Sequence, residues 1–388
     1  RVEVVRVCGA SSQQGDQALG RAGDGAEDWD RLGGEARGDI LRKAAQLYEE
    51  NRTALMALMV REAGKTLSNA LADLREAIDF LYYYAAQADK LFATEGLALP
   101  GVTGEQNTLF HHGRGVFACI SPWNFPLAIF TGQVSAALAA GNAVVAKPAE
   151  QTPLVATLAV RLMHEAGVPG NVLHLLPGRG ETVGAQLIGD ERINGAAFTG
   201  SNETAARIHQ TLAGRGGPIV PLIAETGGMN AMIVDSSALP EQVVRDAVRS
   251  AFDSAGQRCS ALRMLFVQED TADRVLTMLL GAMEELAVGD PFDFATDVGP
   301  VIDKDAQSVL DAHKSAMRLN YRELIDLPQS RDLEHGTFVT PAAFEIDGIH
   351  VLEREVFGPI VHVVRYRADR LDKVCQSINA TGYGLTLG

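Results

Sequence analysis

Val116–Lys147, VFACISPWNFPLAIFTGQVSAALAAGNAVVAK, is the stretch that decides the fold. It opens and closes on short, unbroken apolar runs, Val116–Ile120 and Ala143–Ala146. Runs of this kind are strands buried on both faces of a parallel sheet. Between them, Leu127–Ala140 has the length of a helix and stops at Gly141-Asn142, a C-terminal signal. Parallel strands need such a crossover, so the stretch reads as one β-α-β unit. The pattern repeats outward. Thr152-Pro153 opens a helix to Ala166 as cap and first-turn proline. Strands at 172–176, 196–198 and 219–224 alternate with helices at 181–188 and 202–213. Upstream, helical periodicity runs from about Asp39 to Phe92, and 101–115 reads as a loop or hairpin with a strand at Thr108–His112. Downstream, a second α/β unit starts near Thr226 with strands at 230–234 and 263–267 and helices at 241–252 and 271–286. The expected architecture is a Rossmann-type parallel-sheet domain over residues 1–225, with 105–115 as a possible oligomerisation hairpin, and an α/β catalytic domain over 226–388.

The chain has 388 residues and a formal net charge of −15, which gives it no cation excess for nucleic acid or an anionic membrane. Cys8, Cys119, Cys259 and Cys375 form no metal or redox spacing, and scattered cysteines fit a reducing, cytoplasmic setting. No metal site is expected. Arg1-Val-Glu-Val-Val-Arg6 reads as strand interior and Gly382–Gly388 stops mid-pattern, so the sequence is expected to be part of a longer chain.

Parallel sheets bind ligands at the carboxyl ends of their strands, so residues just past each strand carry the functional reading. Asn124, in Pro122-Trp-Asn-Phe-Pro126, is fixed by two prolines and can offer an amide N–H to an oxyanion. By itself it could equally be a turn residue. Lys147 and Glu150 follow the second strand and suit the hydroxyls of an adenosine ribose. Phe198-Thr199-Gly200-Ser201 runs from strand into helix, an anion site for a pyrophosphate, although GxGxxG is absent. Glu225 precedes two glycines at the end of a strand. Cys259 follows Arg258, a cation that favours thiolate, and precedes Ser260. A single cysteine is more often core than nucleophile.

Taken in order, Pro122-Trp-Asn-Phe-Pro, Lys147-Pro-Ala-Glu, Phe198-Thr-Gly-Ser, Glu225-Thr-Gly-Gly, Gly256-Gln-Arg-Cys and Glu355-Val-Phe-Gly-Pro resemble the aldehyde dehydrogenase family. The chain is similar above all to the L-glutamate γ-semialdehyde (1-pyrroline-5-carboxylate) dehydrogenase domains of bacterial proline utilization A. The resemblance implies Cys259 as nucleophile, Asn124 as oxyanion donor and Glu225 as base for thioester hydrolysis. It implies an NAD site lined by Ile120, Pro122, Trp123, Lys147, Glu150, Gly180, Gly184, Phe198, Thr199, Gly200, Ser201 and Thr204, with Glu355 on the nicotinamide ribose and Phe357 beside it. Glu150 favours NAD over NADP by repelling a 2′-phosphate. Phe125, Arg258 and Ser260 would face the aldehyde. The resemblance also implies a proline dehydrogenase domain or partner, and a homo-oligomer built by a segment after Gly388. Two alternatives stay open: another small aldehyde such as succinate semialdehyde, or a non-catalytic assembly domain of the same fold.

Overall fold

Strands β3 (Val116–Ile120) and β4 (Ala143–Lys147) bury all five of their residues, as apolar runs at the centre of a parallel sheet must. The structure is a computed structural model that describes residues 7–388; the strand reading of residues 1–6 lies outside these. The described residues form two compact units, residues 7–63 with 70–226, and residues 64–69 with 227–388.

In the first unit β3 and β4 belong to a five-stranded, all-parallel sheet of order β5-β4-β3-β6-β7, completed by β5 (Leu173–Leu175), β6 (Ile193–Gly200) and β7 (Leu222–Thr226). The crossovers are α5 (Ala128–Ala139), α6 (Pro153–Ala166), α7 (Ala185–Gly189) with a π-turn at Gly180–Gly184, and α8 (Asn202–Gly214). This is the Rossmann-type layer that the alternation predicts. Its helical prelude is longer than the periodicity predicts: α1 (Ser12–Arg31) precedes α2 (Gly34–Glu50), α3 (Arg52–Ala63) and α4 (Leu67–Leu91). The glycines of α1 weaken its helical signature, yet Ser11 and Gln14 form a reciprocal capping box. Buried Gly25 lets the helix approach the Asn171 backbone where a Cβ would not fit. A two-stranded antiparallel ribbon joins β1 (Leu97–Leu99) to β2 (Asn107–Leu109). Its first strand therefore precedes the predicted 105–115 range, and the predicted strand at 108–112 stops at Leu109. His111 and His112 turn instead to the Leu91 carbonyl (2.9 Å) and Asp30 (3.0 Å).

Pro153 opens α6 as predicted, but Thr152 does not cap it with its side chain. Glu62 of α3 does so, accepting the amides of Leu154 (2.7 Å) and Val155 (2.8 Å).

The second unit holds a five-stranded sheet of order β10-β11-β12-β9-β8. Its strands are β8 (Ala231–Val234), β9 (Met264–Gln268), β10 (Arg322–Asp326), β11 (Ala342–Glu345) and β12 (Ile360–Tyr366), and only the β10–β11 pair is antiparallel. Helices α9 (Pro240–Phe252), α10 (Glu269–Glu284), α11 (Lys304–Asn320) and α12 (Leu371–Asn379) accompany it. Phe252, Phe266, Phe344 and Ile360 are part of its buried core.

Candidate active site

In the sheet of the first unit the β3–α5 turn carries Asn124, which is buried at 8% exposure, with Ile120 at 8% just before it. The turn is anchored from α4: Asp73, fully buried, accepts the Ala128 amide at the start of α5 (2.7 Å). Pro122, Trp123 and Phe125 are half-buried around Asn124. From α5, Gln133 donates to the Ile120 carbonyl (3.3 Å) and to the Thr199 hydroxyl (3.0 Å), joining the ends of β3 and β6. Gln133 carries no charge and matches no motif, so the sequence reading missed it.

Lys147 closes β4 as a buried residue and not as the surface charge its composition suggests. Its ammonium donates to the carbonyls of Pro148 and Gly178, each at 2.8 Å, and lies 3.6 Å from Glu150, which is half-exposed. Burial pulls the Lys147 pKa below its ordinary value, against the charge of Glu150. Gly184 leaves space beside the Lys147 stem, and Gly180 begins the same turn. Buried Phe198 and half-buried Thr199 and Gly200 end β6, and Ser201 caps α8 by accepting the Thr204 amide (3.2 Å). The helix N-terminus is thereby ordered at the place read as an anion site.

Glu225 differs from its expected position. It lies inside β7, paired in register with Thr199, and not in the turn after the strand. Strand pairing continues through it to Thr226↔Gly200, because the following glycines and not the glutamate end the strand. Its side chain is exposed.

The remaining candidates lie in the second unit. Cys259 is half-buried and Ser260 exposed. The approach to Cys259 is a left-handed turn: Ser254 (φ 55°), Ala255 (φ 54°) and Gly256 (φ 66°) are consecutive. Two non-glycine residues there store strain of about 1–3 kcal/mol each, which only surrounding bonds can hold. Those bonds exist. The Gln257 side chain accepts the Ile302 amide (2.9 Å) and donates to the Ser254 carbonyl (3.2 Å). Arg258 bonds Asn69 and Ser254 and lies 3.6 Å from Asp253, so its guanidinium is engaged within the loop. The buried Asn230 amide donates to the carbonyls of Cys259 (2.6 Å) and Ala261 (2.9 Å).

Arg263, fully buried, gathers the rest. Its guanidinium donates to the carbonyls of Gly256 (2.6 Å) and Arg258 (2.9 Å), and to Glu355 (2.9 Å and 3.2 Å). It also lies 5.1 Å from the centroid of the Phe357 ring. Burial pushes the Glu355 carboxyl up, while Arg263 and the Gly228 amide hold it down. Gly227 is needed here, since a Cβ would strike the Glu355 carboxylate. A charged residue heading the apolar run Met264–Val267 was the available signal for Arg263; Asn230 had none.

None of the four cysteines forms a disulfide. Among the described residues no His, Cys, Asp or Glu cluster of three or more could hold a metal, and no helix is long and apolar enough to cross a membrane.

With this geometry in hand, comparison with known proteins is decisive for the family. The aldehyde dehydrogenase family profile matches residues 1–388. The chain belongs to the aldehyde dehydrogenase family. The bifunctional protein PutA of Klebsiella aerogenes is 53% identical over 387 residues, covering 98% of this chain and 28% of that protein. A 1-pyrroline-5-carboxylate dehydrogenase of Geobacillus kaustophilus (strain HTA426) is 37% identical over 396 residues, covering 100% of this chain and 75% of that one. Among solved structures, a 1-pyrroline-5-carboxylate dehydrogenase from Thermus with bound NAD superposes with a TM-score of 0.91 at 32% identity, covering 98% of this chain and 74% of that chain. The chain thus spans 28% of this PutA protein and about three quarters of the two 1-pyrroline-5-carboxylate dehydrogenases.

Proposed function

We propose that this chain oxidises L-glutamate γ-semialdehyde, the open form of 1-pyrroline-5-carboxylate, to L-glutamate with NAD as oxidant. The observation that carries the reading is the Cys259 loop. A strained turn is held by Gln257 and Arg263, and the Cys259 carbonyl by Asn230, in a family member 37% identical to a 1-pyrroline-5-carboxylate dehydrogenase. Such over-determination is expected around a nucleophile.

The first unit's residues fit NAD. Lys147 gives two hydrogens to carbonyls and faces the Glu150 carboxylate at 3.6 Å, a donor and acceptor pair that suits two adjacent ribose hydroxyls. The capped N-terminus of α8 suits a pyrophosphate. Ile120, Pro122, Trp123, Gly180, Gly184, Phe198, Thr199, Gly200, Ser201 and Thr204 would line that cofactor, with Glu355 and Phe357 at its nicotinamide ribose. Bound NAD would supply the hydride acceptor.

The chain's own groups do the rest. Cys259, as thiolate, adds to the aldehyde carbon. The Asn124 amide and the Cys259 main-chain N–H donate to the resulting oxyanion. After oxidation the acyl group is a thioester on Cys259. Glu225 takes a proton from the water that cleaves it, the sulfur leaves as thiolate, and the acid product departs. Phe125, Arg258 and Ser260 are proposed to face the aldehyde chain. The match to a bifunctional PutA protein, of which this chain covers 28%, supports a companion domain, proposed to be a proline dehydrogenase that supplies the substrate, and a cytoplasmic homo-oligomer is proposed with it.

The test is NADH formation, compared as kcat/KM for glutamate γ-semialdehyde and succinate semialdehyde. We expect the former to be preferred and a Cys259→Ala variant to be inactive. Preference for another aldehyde would overturn the substrate assignment, and an active Cys259→Ala variant the mechanism.

A further inference from the structure

Arg263 has no role in the chemistry above, yet it is the fully buried charge of the second unit that touches two parts of the proposed site at once. Burying a guanidinium is costly unless every donor is matched. Here the donors are divided. One nitrogen reaches the Gly256 carbonyl at 2.6 Å and the Gly358 carbonyl at 3.3 Å. The second reaches the Arg258 carbonyl at 2.9 Å and Glu355 at 2.9 Å, and the third reaches Glu355 at 3.2 Å. The two loop carbonyls belong to residues just before Cys259, and Gly358 follows Phe357 in the segment that carries Glu355. A planar five-donor fork can make this set of bonds; a lysine ammonium, with three donors at one point, cannot.

We propose that Arg263 is a positioning residue that ties the Glu355 carboxylate and the 355–358 segment to the backbone before Cys259, so that the nucleophile loop and the carboxylate hold one geometry. The inference rests on the assignment of Cys259 and Glu355 made above. It anchors the strained 254–256 turn at the Gly256 carbonyl, beside the bonds of Gln257 and Arg258 to Ser254, and it makes the two ends of the reaction depend on each other. A shift of Glu355 is transmitted to the loop carbonyls through a rigid ion. The charge of a Cys259 thiolate favours the Arg263 guanidinium, and a cation near a thiol in general favours thiolate.

The test uses the full chain and three variants, Arg263→Met, Arg263→Lys and Glu355→Gln. Two quantities are read: KM for NAD against kcat, and the rate of Cys259 alkylation by iodoacetamide in cofactor-free protein. The alkylation rate is taken from the Cys259 peptide by mass spectrometry, because Cys8 and Cys375 are exposed and also react. For Arg263→Met we expect alkylation slowed by about fivefold or more, together with a rise in KM for NAD of about the same size. Arg263→Lys should restore alkylation only in part, because it keeps the charge but loses the bonds that hold the loop, and should not restore KM. Glu355→Gln should raise KM and also speed alkylation, since the cation is then less neutralised. A purely cofactor-binding glutamate would leave alkylation unchanged.

Folded Arg263→Met protein with both quantities within about twofold of wild type would overturn the proposal. If that variant does not fold, unchanged alkylation in Glu355→Gln overturns it instead. Failure of the underlying reading is visible separately, as NADH formation by Cys259→Ala.

Discussion

Asn230→Asp tests how the nucleophile loop is held. The Asn230 side chain is buried at 3% exposure and makes three hydrogen bonds: to the carbonyls of Cys259 (2.6 Å) and Ala261 (2.9 Å), and from the Thr386 amide (3.0 Å). Its own carbonyl accepts the amides of Arg263 (3.0 Å) and Met264 (3.1 Å). One residue therefore holds the loop from Cys259 to its entry into β9. Aspartate has nearly the same shape and keeps the acceptor for Thr386, but it turns both donors into an oxygen facing two carbonyl oxygens. Losing two neutral bonds costs about 2 kcal/mol, and leaving the buried oxygens unmatched adds about 1–3 kcal/mol. We expect about 3–5 kcal/mol of destabilisation in urea unfolding. Catalysis should fall further than stability alone requires. At temperatures where the variant is fully folded, an oxygen pushing on the Cys259 carbonyl displaces the thiol, and a displacement of about 1 Å costs on the order of a hundredfold in kcat. Alkylation of the Cys259 peptide should slow in parallel. A variant within about 1 kcal/mol of wild type would refute the hydrogen-bond argument. One that is destabilised but keeps full kcat would show that the loop does not depend on Asn230 for its active geometry.

Three further outcomes follow from the same structure. Asn124→Ala should lower kcat by about 10²–10³-fold with little change in thermal stability, read by steady-state kinetics; an unchanged kcat would remove Asn124 from the oxyanion site. Glu225→Gln should give a burst of NADH equal to the enzyme concentration and then stall, and loss of the burst itself would place Glu225 before hydride transfer. Burial pushes the Glu62 carboxyl up to about 7, against the pull of the Leu154 and Val155 amides. A raised acid holds its extra proton in the folded state, so its contribution is full below the ordinary glutamate pKa of about 4.5 and is lost as pH rises through about 7. Urea unfolding at about pH 5 and about pH 8 should therefore show Glu62→Gln gaining on wild type at the higher pH, and an equal difference at both would refute the assignment.

The β-α alternation was legible because buried parallel strands need continuous apolar runs and their crossovers need helical length; the predicted elements from Val116 to Val267 correspond to observed ones within a few residues. Helix α1 was not legible, because its glycines look like loop punctuation in a linear reading, although Gly25 serves close packing against Asn171. The α6 cap was misread for a related reason. Thr152-Pro153 has the local signature, but the bonds go to Glu62, far away in sequence. Asn124, Glu225 and Cys259 stood out because their neighbours are unusual in composition.

Residue order and type by themselves determined the family and the α/β class, since both are written in local pattern, and they named the candidate side chains. Only the tertiary structure decided how those side chains are held. It placed Glu225 within β7 opposite Thr199, buried Lys147 against two carbonyls, and set Asn230 and Arg263 around the Cys259 loop. The physical reason is that a buried amide or guanidinium must match every donor to an acceptor, and those acceptors are main-chain carbonyls. Every residue carries one, so no sequence pattern marks which of them the fold will bring within reach.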